Sequence, residues 1–111
     1  MNWIQLTSLG QLNEITQLST EKSVVIFKHS TRCSVSRMAL KQFENDYKIA
    51  DNEANAYFLD LLNFRDISNE IASKFQIEHQ SPQVILVKNG KVTYSVTHSE
   101  IDADTLKEHI D

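Results

Sequence analysis

One cysteine, one proline and two glycines in 111 residues leave this chain little covalent or conformational punctuation. A single thiol, Cys33, rules out an internal disulfide, so packing alone must hold the fold. A four-ligand metal site is poorly served as well. His29, His79, His98 and His109 lie at no ligand spacing around one cysteine, and no metal is expected. No apolar run approaches a membrane span. The longest, Val24 to Phe27, has the length of a strand, so no membrane partner is expected. The opening MNWIQLTSLG lacks the basic start and apolar middle of a signal peptide. Together with the lone thiol, this points to the cytoplasm, where thiols stay reduced. Fifteen acidic residues outnumber 11 basic ones, giving a net charge of −4. Phosphate binding needs a concentrated basic face, so nucleic acid is not an expected partner.

What is present suits one globular domain over residues 1–111, with 41% hydrophobic and 23% charged residues and no repeat or linker. Trp3 to Thr7 alternates weakly, as a short edge strand would. Leu9, Leu12, Ile15 and Leu18 follow at helical spacing, with Thr7 or Ser8 as cap. SVVIFKH, Ser23 to His29, reads as a buried strand. A second helix follows, capped by Ser30 or Thr31 and carrying Val35, Met38/Ala39, Phe43 and Tyr47 on one stripe. Asn55 to Leu61 is a further strand, and Asp66 or Ser68 opens a short helix. Gln83 to Lys88 is another buried strand. Asn89-Gly90 turns it into Lys91 to Thr97, and Asp102 or Asp104 starts a last helix. The fold class is α/β. A central mixed sheet of four to five strands should have helices on both faces.

Cys33 falls after a buried strand, in the first turn of an amphipathic helix. Free N–H groups and the positive end of the helix dipole favour an anion there, and thiolate is the form that attacks disulfides. Arg32 and Arg37 add charge of the right sign. Its neighbours are polar, whereas a cysteine serving as core filler would sit on the apolar stripe. Three residues on stands Ser36, where a dithiol redox protein carries its second cysteine. Serine cannot resolve a mixed disulfide, so an outside thiol must release whatever Cys33 binds. The Ser36 hydroxyl could instead hydrogen-bond the thiolate. Ser81-Pro82 precedes a buried strand; pattern alone favours an ordinary trans bond there.

A strand, a cysteine at the following helix start and an X-Pro before a hairpin, SPQVILVKNGKV, together resemble the thioredoxin fold from about Ile4 to Ile110. That likeness implies that Pro82 is a cis-proline beside the cysteine and that the Ser81 backbone pairs with the incoming chain. Within that superfamily, HSTRCSVS, His29 to Ser36, is similar to the monothiol bacilliredoxins of the YtxJ type. They occur in low-GC Gram-positive bacteria that use bacillithiol instead of glutathione. The resemblance implies a thiol-disulfide oxidoreductase that removes bacillithiol from S-bacillithiolated client proteins. Cys33 would be the nucleophile, with Thr31, Arg32, Arg37, Ser81, Pro82 and His29 around the substrate. Cationic groups would suit the malate part of bacillithiol, and Lys28 joins Arg32, Arg37 and His29 as candidates. No bound cofactor is implied: bacillithiol exchanges as a co-substrate, and a disulfide reductase is the further partner. Two other readings stay open. Cys33, Ser36 and Arg37 in C-x-x-S-R order also resemble single-cysteine arsenate reductases coupled to glutaredoxin. A thioredoxin-like module that senses oxidation or binds a partner without turnover would carry the same residues.

Overall fold

The computed structural model describes residues 1–110. The chain runs β1 (Trp3–Gln5), α1 (Gly10–Leu18), β2 (Ser23–His29), α2 (Ser34–Asp46), β3 (Ala54–Asp60), α3 (Arg65–Lys74), β4 (Gln83–Lys88) and β5 (Lys91–Thr97). A single 3-10 turn, His98–Glu100, then leads into α4 (Ala103–Glu108). The sheet has five strands in the order β1-β3-β2-β4-β5. β1 and β2 both lie parallel to β3, and the β4-β5 hairpin adds antiparallel strands on the other side of β2.

The alternation of β2 divides the core in two, because successive side chains leave a strand on opposite faces. Val24 and Ile26 pack with Leu12 and Ile15 of α1 and Ile67 and Ile71 of α3. Val25 and Phe27 pack with Phe43 of α2 and with Ala103 and Leu106 of α4. The same alternation sends the last two residues of β2 to opposite faces: Lys28 toward α3 and His29 toward α2. Both are buried.

Helix starts differ from the sequence reading. Gln11, rather than Thr7 or Ser8, supplies the capping oxygen of α1, accepting from the backbone N–H of both residues at 2.7 and 3.0 Å. α3 begins at Arg65, one residue before Asp66, and Ser68 is buried inside it. Asp102 does cap α4, its carboxylate accepting from the Asp104 N–H at 3.3 Å.

Asn89 and Gly90 form the expected two-residue hairpin, both with positive φ, 52° and 73°. Ser19, which ends α1, receives the turn. Its carbonyl and hydroxyl oxygens accept from the N–H of Asn89 and of Gly90, each at 2.8 Å. Gly90→Ala would hold a Cβ in left-handed backbone, 3.4 Å from the Thr16 methyl. A loss of roughly 1 kcal/mol in urea unfolding is expected.

Candidate functional site

Three chain segments meet at one end of the sheet. β2 ends at His29 and releases the loop that carries Cys33. Gln83 pairs with Lys28 in the β2-β4 ladder, so Pro82 stands opposite His29. The Ser81–Pro82 peptide bond is cis, and the Pro82 carbonyl accepts from the N–H of His98, which has a φ of 53°. β3 closes the third side, with the Leu61 N–H donating to the His29 carbonyl at 3.0 Å.

Cys33 is the N-cap residue of α2, with extended backbone at φ −105° and ψ 118°. It takes the place expected of Ser30 or Thr31 and lies just outside the first turn. Its carbonyl accepts the first helical bond from the Arg37 N–H at 3.0 Å, and its N–H donates to the Ser30 carbonyl at 3.2 Å. The side chain is partly exposed and bears a free thiol. It stands where the first N–H groups of α2 have no partner within the helix, and its side chain makes no capping hydrogen bond.

Ser36 corrects the sequence reading most sharply. It is fully buried, and its hydroxyl lies 2.7 Å from His29 Nδ1 while accepting from the Ser30 N–H at 3.0 Å. No hydrogen bond joins it to the Cys33 sulfur among the described residues. Burial is the largest influence on the His29 imidazole and pushes its pKa down. Asp60 opposes that, and Arg37 reinforces it. A neutral ring with its proton on Nε2 offers the Nδ1 lone pair, and the Ser36 O–H donates to it. Ser36 thus pins the first turn of α2 to the end of β2 and closes the Cys33 loop between them.

This pin also shifts the buried face of α2. Ser36 and Phe43 are buried, with Ala39, Leu40 and Tyr47 partly so, whereas Val35 and Met38 are 47% and 74% exposed. Helical spacing alone places both on the packed stripe. They instead border an apolar groove shared with Ala39, Gln42, His98, Ser99 and Ile101.

The cations divide just as unexpectedly. His29 is buried against Ser36 and Phe58 and presents no charge to a ligand. Lys28, also a candidate cation, is wholly buried on the opposite face. Its Nζ donates to His79 Nδ1 at 2.8 Å and to the Ser68 carbonyl at 3.4 Å. Burial lowers its pKa to about 8. His79 is pushed down too, first by burial and then by Lys28 and Arg65. The Lys28–His79 contact ties the segment before Pro82 to the sheet. Gln83 ties it again, donating to the Glu78 carbonyl and accepting from the Gln80 N–H. The Ser81 hydroxyl is buried without a partner among the described residues.

Arg37 donates to the Thr31 carbonyl at 2.9 Å and so braces the loop. Arg32 and Thr31 are exposed and border a cleft with Leu62, Asn63 and Arg65. The sequence reading weighs His79 only as a metal ligand, Gln83 only as the start of a strand and Arg65 only as a possible oxyanion holder, and it gives Asn63 no role. Only the unusual lysine inside an apolar strand hinted that some polar partner must reach it.

A family model described as monothiol bacilliredoxin BrxC matches residues 4–106. A solved protein named for its thioredoxin fold and an assigned oxidoreductase role is 31% identical, with a TM-score of 0.77. The match covers 95% of this chain and 90% of that one. The thioredoxin of Malassezia sympodialis is 24% identical with a TM-score of 0.71, over 97% of this chain and 87% of its own. That of Fasciola hepatica is 18% identical with a TM-score of 0.68, over 96% and 94%. At those two identities the likeness speaks for the fold alone. A free cysteine capping a helix, a buried serine three residues on and a cis-proline opposite the end of the preceding strand agree with the family match: this chain belongs to the monothiol bacilliredoxins, on a thioredoxin fold.

Proposed function

We propose that this protein is a thiol-disulfide oxidoreductase that removes bacillithiol from S-bacillithiolated proteins in a thiol-reducing cytoplasm. The observation that carries the reading is the pairing of a partly exposed Cys33 with a buried, fully engaged Ser36. The exchange site holds one sulfur, so the second thiol of each cycle comes from outside. The Cys33 thiolate attacks the bacillithiol sulfur of the mixed disulfide. The bond between that sulfur and the client sulfur breaks, and the client leaves as a thiolate that takes a proton from water. Cys33 now carries bacillithiol. A second bacillithiol thiolate attacks the sulfur of the bound one, releasing the Cys33 thiolate and bacillithiol disulfide, which a reductase recycles. No resident cofactor takes part.

Intact-mass spectrometry tests this with a bacillithiol-modified client, a glutathione-modified client and a Cys33→Ala control. The expected result is transfer of bacillithiol to Cys33, a freed client thiol, slow reaction with the glutathione adduct and no reaction of the control. Further turnovers should follow when free bacillithiol is added. A protein that takes one equivalent and stops is a sensor. One that takes none, while its Cys33 still alkylates, is not a bacilliredoxin in activity.

A further inference from the structure

We infer that the cleft bordered by Thr31, Arg32, Leu62, Asn63 and Arg65 is a subsite for the carboxylate end of the small thiol that exchanges with Cys33. This rests on the reading of Cys33 as a site of exchange with an external low-molecular-weight thiol. It adds where on the protein that thiol is held, and by which residues.

The cleft has a volume of about 340 Å³, and its lining contains two guanidinium groups and no carboxylate. Among the described residues neither guanidinium has a hydrogen-bond or ion-pair partner, whereas Arg37 is taken up by the Thr31 carbonyl. Two cations facing one cleft repel each other, and an anion between them removes that repulsion. Guanidinium is the group best shaped for carboxylate, since its fork can bind both oxygens. Arg65 is also the first residue of α3, and the N-cap, Phe64, has no side-chain oxygen to offer. The first N–H groups of α3 therefore add positive potential, part of which Asp66 in the same turn offsets.

The part of the cleft that carries Asn63 is held in place. Asn63 donates to an Asp60 carboxylate oxygen at 2.7 Å, and its N–H and that of Phe64 donate to the Asp60 carbonyl. Asp60 lies behind that wall, with its other carboxylate oxygen buried. Arg32 immediately precedes Cys33, so a thiol bonded to the cysteine has its far end within reach of the cleft. A carboxylate-bearing thiol is thus held at two points, sulfur on Cys33 and carboxylate between Arg32 and Arg65. A neutral thiol has only the first.

The test has a binding arm and a kinetic arm. Succinate, a dicarboxylate without sulfur, is titrated into the protein and followed by amide NMR. The exchange rate of Cys33 is then measured with bacillithiol disulfide and with neutral hydroxyethyl disulfide, for the native chain, Arg65→Ala and Arg65→Lys. Succinate should shift the amides of Thr31, Asn63 and Arg65, and Arg65→Ala should abolish the effect. Arg65→Ala should slow exchange with bacillithiol disulfide roughly tenfold, through KM, and leave hydroxyethyl disulfide within about twofold. Arg65→Lys should fall between, keeping charge but losing the fork. Equal slowing with both disulfides, or succinate shifts that avoid the cleft, would overturn the assignment. If a bacillithiol-modified client is not reduced while succinate still binds at Arg65, the subsite stands and the client reading fails.

Discussion

Lys28→Met is expected to be more stable than the native chain at pH 7, by about 2 kcal/mol, and to lose that advantage by pH 10.5. Lys28 is wholly buried, and burial takes its pKa from 10.5 to about 8. Between those values the folded protein holds the amine neutral while the unfolded chain holds it protonated. The unfolded state binds more protons there, so stability rises with pH across the window. Below pH 8 the buried ammonium carries its full cost. A shift of that size corresponds to about 3 kcal/mol, which water access and relaxation reduce. Methionine fills similar space without the charge.

What the substitution loses is modest. The Ser68 carbonyl lies within α3, and His79 is exposed enough for water to replace the amine. Urea unfolding of both proteins at the two pH values checks this. Tyr47, raised to about 12 by its burial, titrates alike in both and cancels in the difference. Equal destabilisation at both pH values would show that Lys28 matters as a hydrogen-bond donor and not as a buried charge. Greater stability without the lysine would leave its hold on His79 as what it contributes. Exchange at Cys33 should slow in Lys28→Met even as stability increases, because the segment leading to Pro82 loses an anchor.

The second large effect is at Ser36. Ser36→Ala leaves the Ser30 N–H and His29 Nδ1 without the hydroxyl that serves both, at a position with no access to water. A loss of about 2 to 3 kcal/mol is expected, roughly 10 °C in Tm for a domain of this size. His29→Phe combined with Ser36→Ala should recover part of that loss, since only the Ser30 N–H is then stranded. Thermal unfolding of the two single variants and the double variant measures the coupling. Exchange should also be slower in Ser36→Ala below its Tm, because the loop that aims Cys33 is no longer pinned. Additive losses would mean that Ser36 and His29 act independently and that the short contact carries little energy.

Sequence periodicity was enough for the sheet. β2 and β4 are runs of Val, Ile and Leu bounded by polar residues, and Asn89-Gly90 is a turn whose two positive φ values few other dipeptides accept without strain. The chain alone also bounded what Cys33 can do. With one cysteine no disulfide can close within the chain, so any disulfide it forms must be to a thiol from outside. Local pattern could not decide which face of α2 packs. Val35 and Met38 look like core residues, yet a buried serine wins the position because His29, seven residues back, turns inward to meet it. Nor could it tell which cations face solvent. Lys28 and His29 are neighbours in sequence, but strand alternation sends them through opposite faces of the sheet, where only tertiary packing supplies Ser68, His79 and Ser36 as partners. Arg65 shows the converse. It lies 33 residues from Arg32 in sequence, and the two border one cleft because β3 runs parallel to β2 and delivers the start of α3 beside the Cys33 loop.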